Sequence, residues 1–476
     1  MLFHTPTFVI FFLTFALFYF AAINKPSRLL ILIVFSNVFY GWWDWRYLAL
    51  LWLTILVDYF VAKEIGKTTN DNRRRLFLVS SLVTNLGILA VFKYFNFFVE
   101  SVEALAGVNV SNWYLRELIL PVGLSFYTFQ SIAYIIDVYR KKQEPIQNLL
   151  QYAAYVCYFP QMVAGPIERA AHLLPQILNP AKITRERISE GTLLFCLGLF
   201  KKSLADTFAV MVNPAFQNIQ AATPAEVVFA IFGFGLQIYL DFSGYIDMAR
   251  GISKIMGIDL MLNFKTPYLS LSVKEFWRRW HISLSSWLRD YLYISLGGSR
   301  NGFAKHLSNL MITMVLGGLW HGAGLNFIIW GALHGGFLVI NNLYTRCFPA
   351  IDEKRRFTLI ARNIFSWACT FIAVNYAWLY FRCVTFSDAM VANAKIFSWL
   401  KSPEMPKVYS GVVVLIFIVL AIDVTQRLLE NNNYKNIYRD SVVPASLQGV
   451  LAGIFLVGGI AFLLGVPTQQ FIYFQF

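Results

Sequence analysis

Charge is scarce in this chain: only 14% of its 476 residues are Asp, Glu, Lys or Arg, against 57% hydrophobic and 17% aromatic. So little charge excludes an ordinary water-soluble domain, and a mean hydropathy of +0.55 indicates a polytopic membrane protein. Cysteine is sparse as well. Cys157, Cys196, Cys347, Cys369 and Cys383 form no CxxC pair and keep no regular spacing, which leaves them as apolar fillers and excludes a disulfide framework or thiolate zinc site. The sequence has no HExxH, EF-hand loop, Walker A or GxSxG pattern, so neither a metal site nor a tightly bound cofactor is expected. Acidic residues are outnumbered, 26 against 40 Lys and Arg, giving a net charge of +14. In a soluble chain that balance would suggest nucleic acid. Here the basic residues cluster between apolar runs, at Lys25 and Arg28, Lys63 to Arg75, Arg140 to Lys142, Arg346 to Arg356 and Arg427 to Arg439. Such clusters read as cytoplasmic loops, and no nucleic-acid partner is expected.

Apolar runs suited to crossing a bilayer lie at 7–23, 29–42, 46–62, 76–98, 117–137, 188–212, 225–246, 307–320, 325–343, 361–381, 410–426 and 446–466. The run near the N-terminus lacks a basic flank and a clear cleavage site, so it reads as a retained span. Placing the basic clusters inside puts both termini outside the cytoplasm. Between the runs, 147–190 and 247–302 are broken by Pro160, Pro166, Pro175, Pro180 and Pro267 yet stay aromatic. Irregular backbone at membrane depth must be surrounded by protein or line a watery cavity, so re-entrant or interfacial helices are expected there. There is no internal repeat and no soluble domain of useful size.

Two histidines stand out in this apolar setting, His281 in FWRRWHISLSSWLRDYLYISLGG and His321 in LGGLWHGAG. Imidazole exchanges protons near neutral pH, and its burial is costly unless it is hydrogen-bonded or working. At helical spacing Phe276, Trp280, Leu284, Trp287 and Tyr291 form one stripe, and Arg278, His281, Ser285 and Arg289 another. An interfacial amphipathic helix with headgroup-binding arginines accounts for the stripe and the arginines, but not for a histidine beside three serines. Gly317, Gly318, Gly322 and Gly324 around His321 admit either a ligand or a neighbouring helix. His334, in WGALHGG, reads as a structural counterpart. Asp137, Asp206, Asp241, Asp247, Asp423 and Glu168 intrude into apolar sequence, so each needs a partner or water. Tyr473, in FIYFQF, either anchors in the interface or returns toward the buried histidines.

The segments LPVGLSFYTFQSIAYIIDVYR (120–140), YFPQMVAGPIER (158–169), LDFSGYIDMARG (240–251), FKTPYLSLSVKEFWRRWHISLSSWLRDYLYISLGG (264–298) and GGLWHGAG (317–324) together resemble the membrane-bound O-acyltransferase family. Within the family they are more similar to its bacterial branch, typified by alginate O-acetylation. Ser295 departs from the proline common there. The resemblance implies an all-α polytopic fold of about 11–12 transmembrane helices with re-entrant or interfacial helices around a tunnel. It also implies a single integral-membrane domain over 1–476, with a catalytic core at about 117–343 and a tail at 467–476 folding back toward the tunnel. His321 takes the position of the family's essential residue and His281 that of its second signature histidine. Tyr473 is the expected acyl relay, and Ser283, Trp287, Asp290, Tyr291, Trp320, Arg278 and Arg279 are the expected substrate-binding set. The implied donor substrate is acetyl-CoA, and the implied place is the bacterial cytoplasmic (inner) membrane, among membrane lipids. The acetyl group would reach a polysaccharide acceptor such as alginate or peptidoglycan indirectly, through an extracytoplasmic SGNH-type hydrolase-like acetyltransferase partner. The other readings are transfer of D-alanyl or another acyl group, a transporter or flippase, and a scaffold. A transporter should carry paired broken helices in two halves, a repeat this sequence lacks.

Overall fold

The computed structural model describes residues 1–107, 120–348, 356–403, 419, 445–467 and 469–472. Among them all regular structure is helical. The helices are α1 (Pro6–Ala21), α2 (Lys25–Asp44), α3 (Tyr47–Lys67), α4 (Asp71–Leu89), α5 (Phe95–Ala106), α6 (Leu124–Tyr139), α7 (Leu149–Val156), α8 (Phe159–Met162) and α9 (Ala170–Leu178). They continue as α10 (Arg185–Gln217), α11 (Pro224–Ile255), α12 (Val273–Arg279), α13 (Ile282–Trp287), α14 (Phe303–His321), α15 (Leu325–Cys347), α16 (Arg356–Arg382), α17 (Phe386–Lys401) and α18 (Ala445–Gly465). The apolar runs read from the sequence fall on these helices, 76–98 on α4 and α5 with a π-type turn between them, except that 410–426, apart from helical Val419, and 117–119 lie outside the described residues. Four stretches are long and apolar enough to cross a membrane, Asp71–Glu103, Pro224–Ile255, Leu325–Cys347 and Thr358–Arg382, and Pro6–Ala21 and Gly449–Ala461 are shorter apolar helices. The architecture is that of an all-α, multi-pass membrane protein.

The chain forms two compact units, one of Met1–Phe195 with Tyr245–Met261, the other of Cys196–Gly244 with Leu262–Phe476. In the first, α1 starts where Thr5 accepts from the Phe8 N–H and Pro6 supplies a preset backbone angle; Asn24 and Pro26 open α2 in the same way. Phe11 and Phe15 of α1 meet Phe159 of α8 edge-on at 5.4 and 5.2 Å. Buried Asp58 of α3 accepts from Ser81 Oγ at 2.6 Å and Asn85 Nδ2 at 3.0 Å on α4, so its burial is met by donors. The broken stretch after Gln147 consists of the short helices α7 to α9, and residues 152–168 are buried without interruption, as irregular backbone in a membrane protein must be. Glu168 accepts there from the Met261 N–H at 2.6 Å and pairs with His172 at 2.7 Å.

In the second unit α14 and α15 pack closely, and glycines are the reason. A Cβ on Gly318 would stand 2.2 Å from the Phe327 carbonyl oxygen, and one on Gly331 2.4 Å from that of Met314. The glycines before His321 thus serve helix approach. Gly322 does the same for a ring, since a Cβ there would overlap Phe327 at 2.0 Å.

Candidate active site

Residues 273–293 do not form the single helix that their spacing predicts. α12 ends at Arg279, His281 takes a left-handed backbone angle of φ 42°, α13 begins at Ile282, and a wider π-type turn covers Leu288–Tyr293. The cause lies outside the segment, at Asn263. Its carbonyl accepts from the Ile282 N–H at 2.9 Å, and its side-chain Oδ1 accepts from the Ser283 N–H and Ser283 Oγ, each at 3.0 Å. Those bonds hold the chain through a kink that a β-carbon disfavours. The apolar stripe survives the break: Phe276, Trp280 and Leu284 are each 1% exposed, with Trp287 at 7% and Tyr291 at 8%. The polar stripe does not survive. Arg278 and Arg289 are exposed whereas His281 is fully buried.

His281 Nδ1 lies 3.2 Å from the same Asn263 Oδ1. Because that oxygen already takes the Ser283 main-chain N–H, an unambiguous donor, the amide cannot be turned the other way. His281 Nδ1 must therefore carry hydrogen, and in the neutral ring the lone pair sits on Nε2. His281 lies between helices, outside the spanning ones, and burial pushes its pKa down to about 3, so the ring is neutral at physiological pH. Phe242 meets it edge-on at 4.9 Å.

His321 is the last residue of α14, within an aromatic cage of Trp320 at 4.8 Å, Trp330 at 5.1 Å and Phe381 at 5.2 Å. Trp320 also contacts the His281 ring, at 6.5 Å, so one indole links the two imidazoles. His334 differs from both. Fully buried, its Nδ1 accepts from Trp277 Nε1–H at 3.2 Å, which suits the structural part given it.

The expected substrate-binding residues divide into groups. Ser283 shares Asn263 with His281, and Trp320 bridges to His321. Trp287 and Tyr291 pack on each other at 5.3 Å. Asp290 is turned toward Arg289, 2.7 Å away, and is 35% exposed. Arg279 is engaged by Glu275 at 2.9 Å and by the Lys265 carbonyl at 3.1 Å, while Arg278 and Lys274, one turn apart on α12, are exposed. Tyr473 lies outside the described residues, but Phe471 contacts Phe242 at 6.2 Å, and Phe242 is a neighbour of His281. Sequence reading passed over Asn263 and Lys202. Lys202 pairs with Asp206 at 2.8 Å and Asp241 at 2.9 Å, and is the partner those two carboxylates needed. A lysine in an apolar run beside two such carboxylates was the available signal.

The sequence pattern of the membrane-bound O-acyltransferase family matches residues 38–383. Among curated proteins, a probable alginate O-acetylase of Pseudomonas putida is 40% identical over 402 residues, 84% of this chain and 81% of its own length. A peptidoglycan O-acetyltransferase of Helicobacter pylori is 36% identical over 422 residues, 82% of this chain and 78% of that protein. A teichoic acid D-alanyltransferase of Streptococcus thermophilus is 30% identical over 257 residues, 51% of this chain and 61% of its own. With its helical membrane architecture and the match spanning most of its length, the chain belongs to the membrane-bound O-acyltransferase family and is an acyltransferase.

Proposed function

We propose that this protein takes an acetyl group from cytoplasmic acetyl-CoA and delivers it across the bacterial cytoplasmic membrane for O-acetylation of an extracytoplasmic polysaccharide. The observation that carries the chemical part is that His281 and His321 share one aromatic neighbour, while His321 alone of the three buried histidines keeps any exposure, 6% against 0% for His281 and His334. The acetyl reading is favoured over D-alanyl transfer by the longer and stronger likeness to O-acetylating relatives.

In this mechanism a hydroxyl attacks the thioester carbonyl while His321 accepts its proton. The carbon–sulfur bond breaks, and the departing thiolate takes that proton back to leave as free CoA. Tyr473 supplies the hydroxyl, becomes acetyl-tyrosine, and passes the group to a serine of an SGNH-type partner outside the cell. His281, through its Nε2 lone pair, orients a donor group at the reacting centre, with Ser283 fixing it from behind. Trp287, Tyr291 and Trp320 line the path, Asp290 stands at its edge, and Arg278 with Lys274 attracts the phosphates of the donor; Arg279 serves mainly to hold α12. Both termini lie outside the cytoplasm.

A general base contributes about 10²–10⁴ in rate, so His321→Ala reduces polymer acetylation by that factor at unchanged protein level. Acetyl content of the secreted and wall glycans is the assay, and normal content in that variant overturns the assignment. Tyr473→Phe, which keeps the ring and loses the oxygen, abolishes transfer if the relay operates and leaves it intact if transfer is direct.

A further inference from the structure

Lys202 is 2% exposed on α10, and the side chains of Asp206, one turn on, and Asp241, on α11, are 3% exposed. Two carboxylates against one ammonium leave an excess negative charge in a buried position, which is costly without further donors. Residues 469–472 supply them. The Ile472 N–H donates to Asp241 Oδ2 at 2.7 Å. In return Lys202 Nζ donates its third proton to the Gln469 carbonyl at 3.1 Å. Phe471 and Ile472 are 2% and 1% exposed. The hydrogen bonds all go to main-chain atoms of this segment, none to its side chains.

We propose that Lys202, Asp206 and Asp241 are a main-chain clamp that takes segment 469–472 as its ligand and thereby positions Tyr473. This rests on Tyr473 as acyl carrier, and makes the three charged residues positioning residues. The approach is prepared upstream, where Gly458 and Gly459 let α18 come down on Phe200, an added Cβ standing 3.2 and 3.4 Å from it. Lys202 follows two residues later on α10. Asp241, which holds the Ile472 amide, adjoins Phe242, which contacts both Phe471 and His281. Adjacent residues of α11 thus hold the segment and border the imidazole.

Asp241→Leu leaves Lys202 and Asp206 as a neutral pair, so the test does not create a lone buried charge. Hydrogen–deuterium exchange of the full-length protein in lipid nanodiscs follows the peptide covering 466–476. In the parent protein the Ile472 amide is protected, and in Asp241→Leu it exchanges about tenfold faster or more, as expected for a lost charge-assisted bond. Ile472→Pro removes the donor itself. It speeds exchange at Gln470 and Phe471 and reduces acetyl transfer, whereas Ile472→Val keeps the N–H and the protection. Unchanged exchange in both Asp241→Leu and Ile472→Pro overturns the clamp. Faster exchange with normal polymer acetylation leaves the clamp standing and removes the carrier reading of Tyr473 instead.

Discussion

Asn263 is where a small change should have a calculable effect. Its Oδ1 serves the Ser283 N–H, the Ser283 hydroxyl and His281 Nδ1, all within 3.2 Å and all buried. Asn263→Leu keeps the approximate size and removes the acceptor. The hydroxyl can rotate to another partner and the imidazole can change tautomer, but the Ser283 amide can do neither. One stranded buried donor costs about 1–3 kcal/mol, so the thermal midpoint in detergent should fall by a few degrees while the protein still folds.

The larger effect is on the ring. Once Nδ1 loses its acceptor, the tautomer with the lone pair on Nε2 loses a bond worth about 1.4 kcal/mol, and its share of the neutral ring falls roughly tenfold. Acetyl transfer per folded molecule should fall with it. Asn263→Asp retains the acceptor geometry for all three groups, so it should hold the tautomer that Leu releases. Acetyl content per folded protein, quantified by fluorescence size-exclusion chromatography, is the measurement. Full activity in Asn263→Leu would refute the tautomer argument, as would equal losses in Leu and Asp.

Two other perturbations follow from the same unit. Gly318→Ala puts a methyl group 2.2 Å from the Phe327 carbonyl, so α14 and α15 must part and stability should drop by about 1–3 kcal/mol, with His321 displaced one turn on; Gly336→Ala on α15, with nothing within 4 Å, is the matched control whose stability should hold. The His281 pKa is about 3 folded against 6.5 unfolded, so the unfolded chain binds the extra proton between those values. Its contribution is fully present above pH 6.5 and is lost as pH falls toward 3, by about 1.4 kcal/mol per unit. His281→Asn, a residue tolerant of the left-handed angle, should therefore show a shallower acid loss than the parent in pH-dependent melting, and parallel curves would refute the burial argument.

The helices were legible because apolar runs of spanning length survive any tertiary detail: α10, α11, α15 and α16 are present where the hydropathy rises. The two histidines were legible by type, since imidazole in an apolar setting is conspicuous. The break at His281 was not. The residues from Phe276 to Tyr291 keep helical spacing, and the positive φ is imposed by hydrogen bonds from Asn263, 18 residues away in sequence. Lys202 was legible in part: its pair with Asp206 has helical i,i+4 spacing, whereas Asp241 and the main chain at Gln469, 267 residues on, meet it only through the fold. The Glu275 to Arg279 pair, at helical i,i+4 spacing, was open to view, and it separates Arg279 from Arg278 as a phosphate contact.

Under the proposed mechanism, the differences between the two imidazoles suit a division of the chemistry. A base that accepts a proton from a hydroxyl arriving from elsewhere must be reachable, and His321, at the end of a helix, keeps 6% exposure. A group that only orients must be rigid, and its ring must not change protonation during turnover. His281 meets both demands, being fully buried, held at Nδ1 by Asn263, and neutral far below physiological pH. Exchanging the roles would put the proton acceptor where burial opposes its protonated form, raising the barrier of the step it is meant to assist. The shared Trp320 keeps the two rings near one centre with an apolar ring between them, and an apolar separator strengthens each remaining polar contact there.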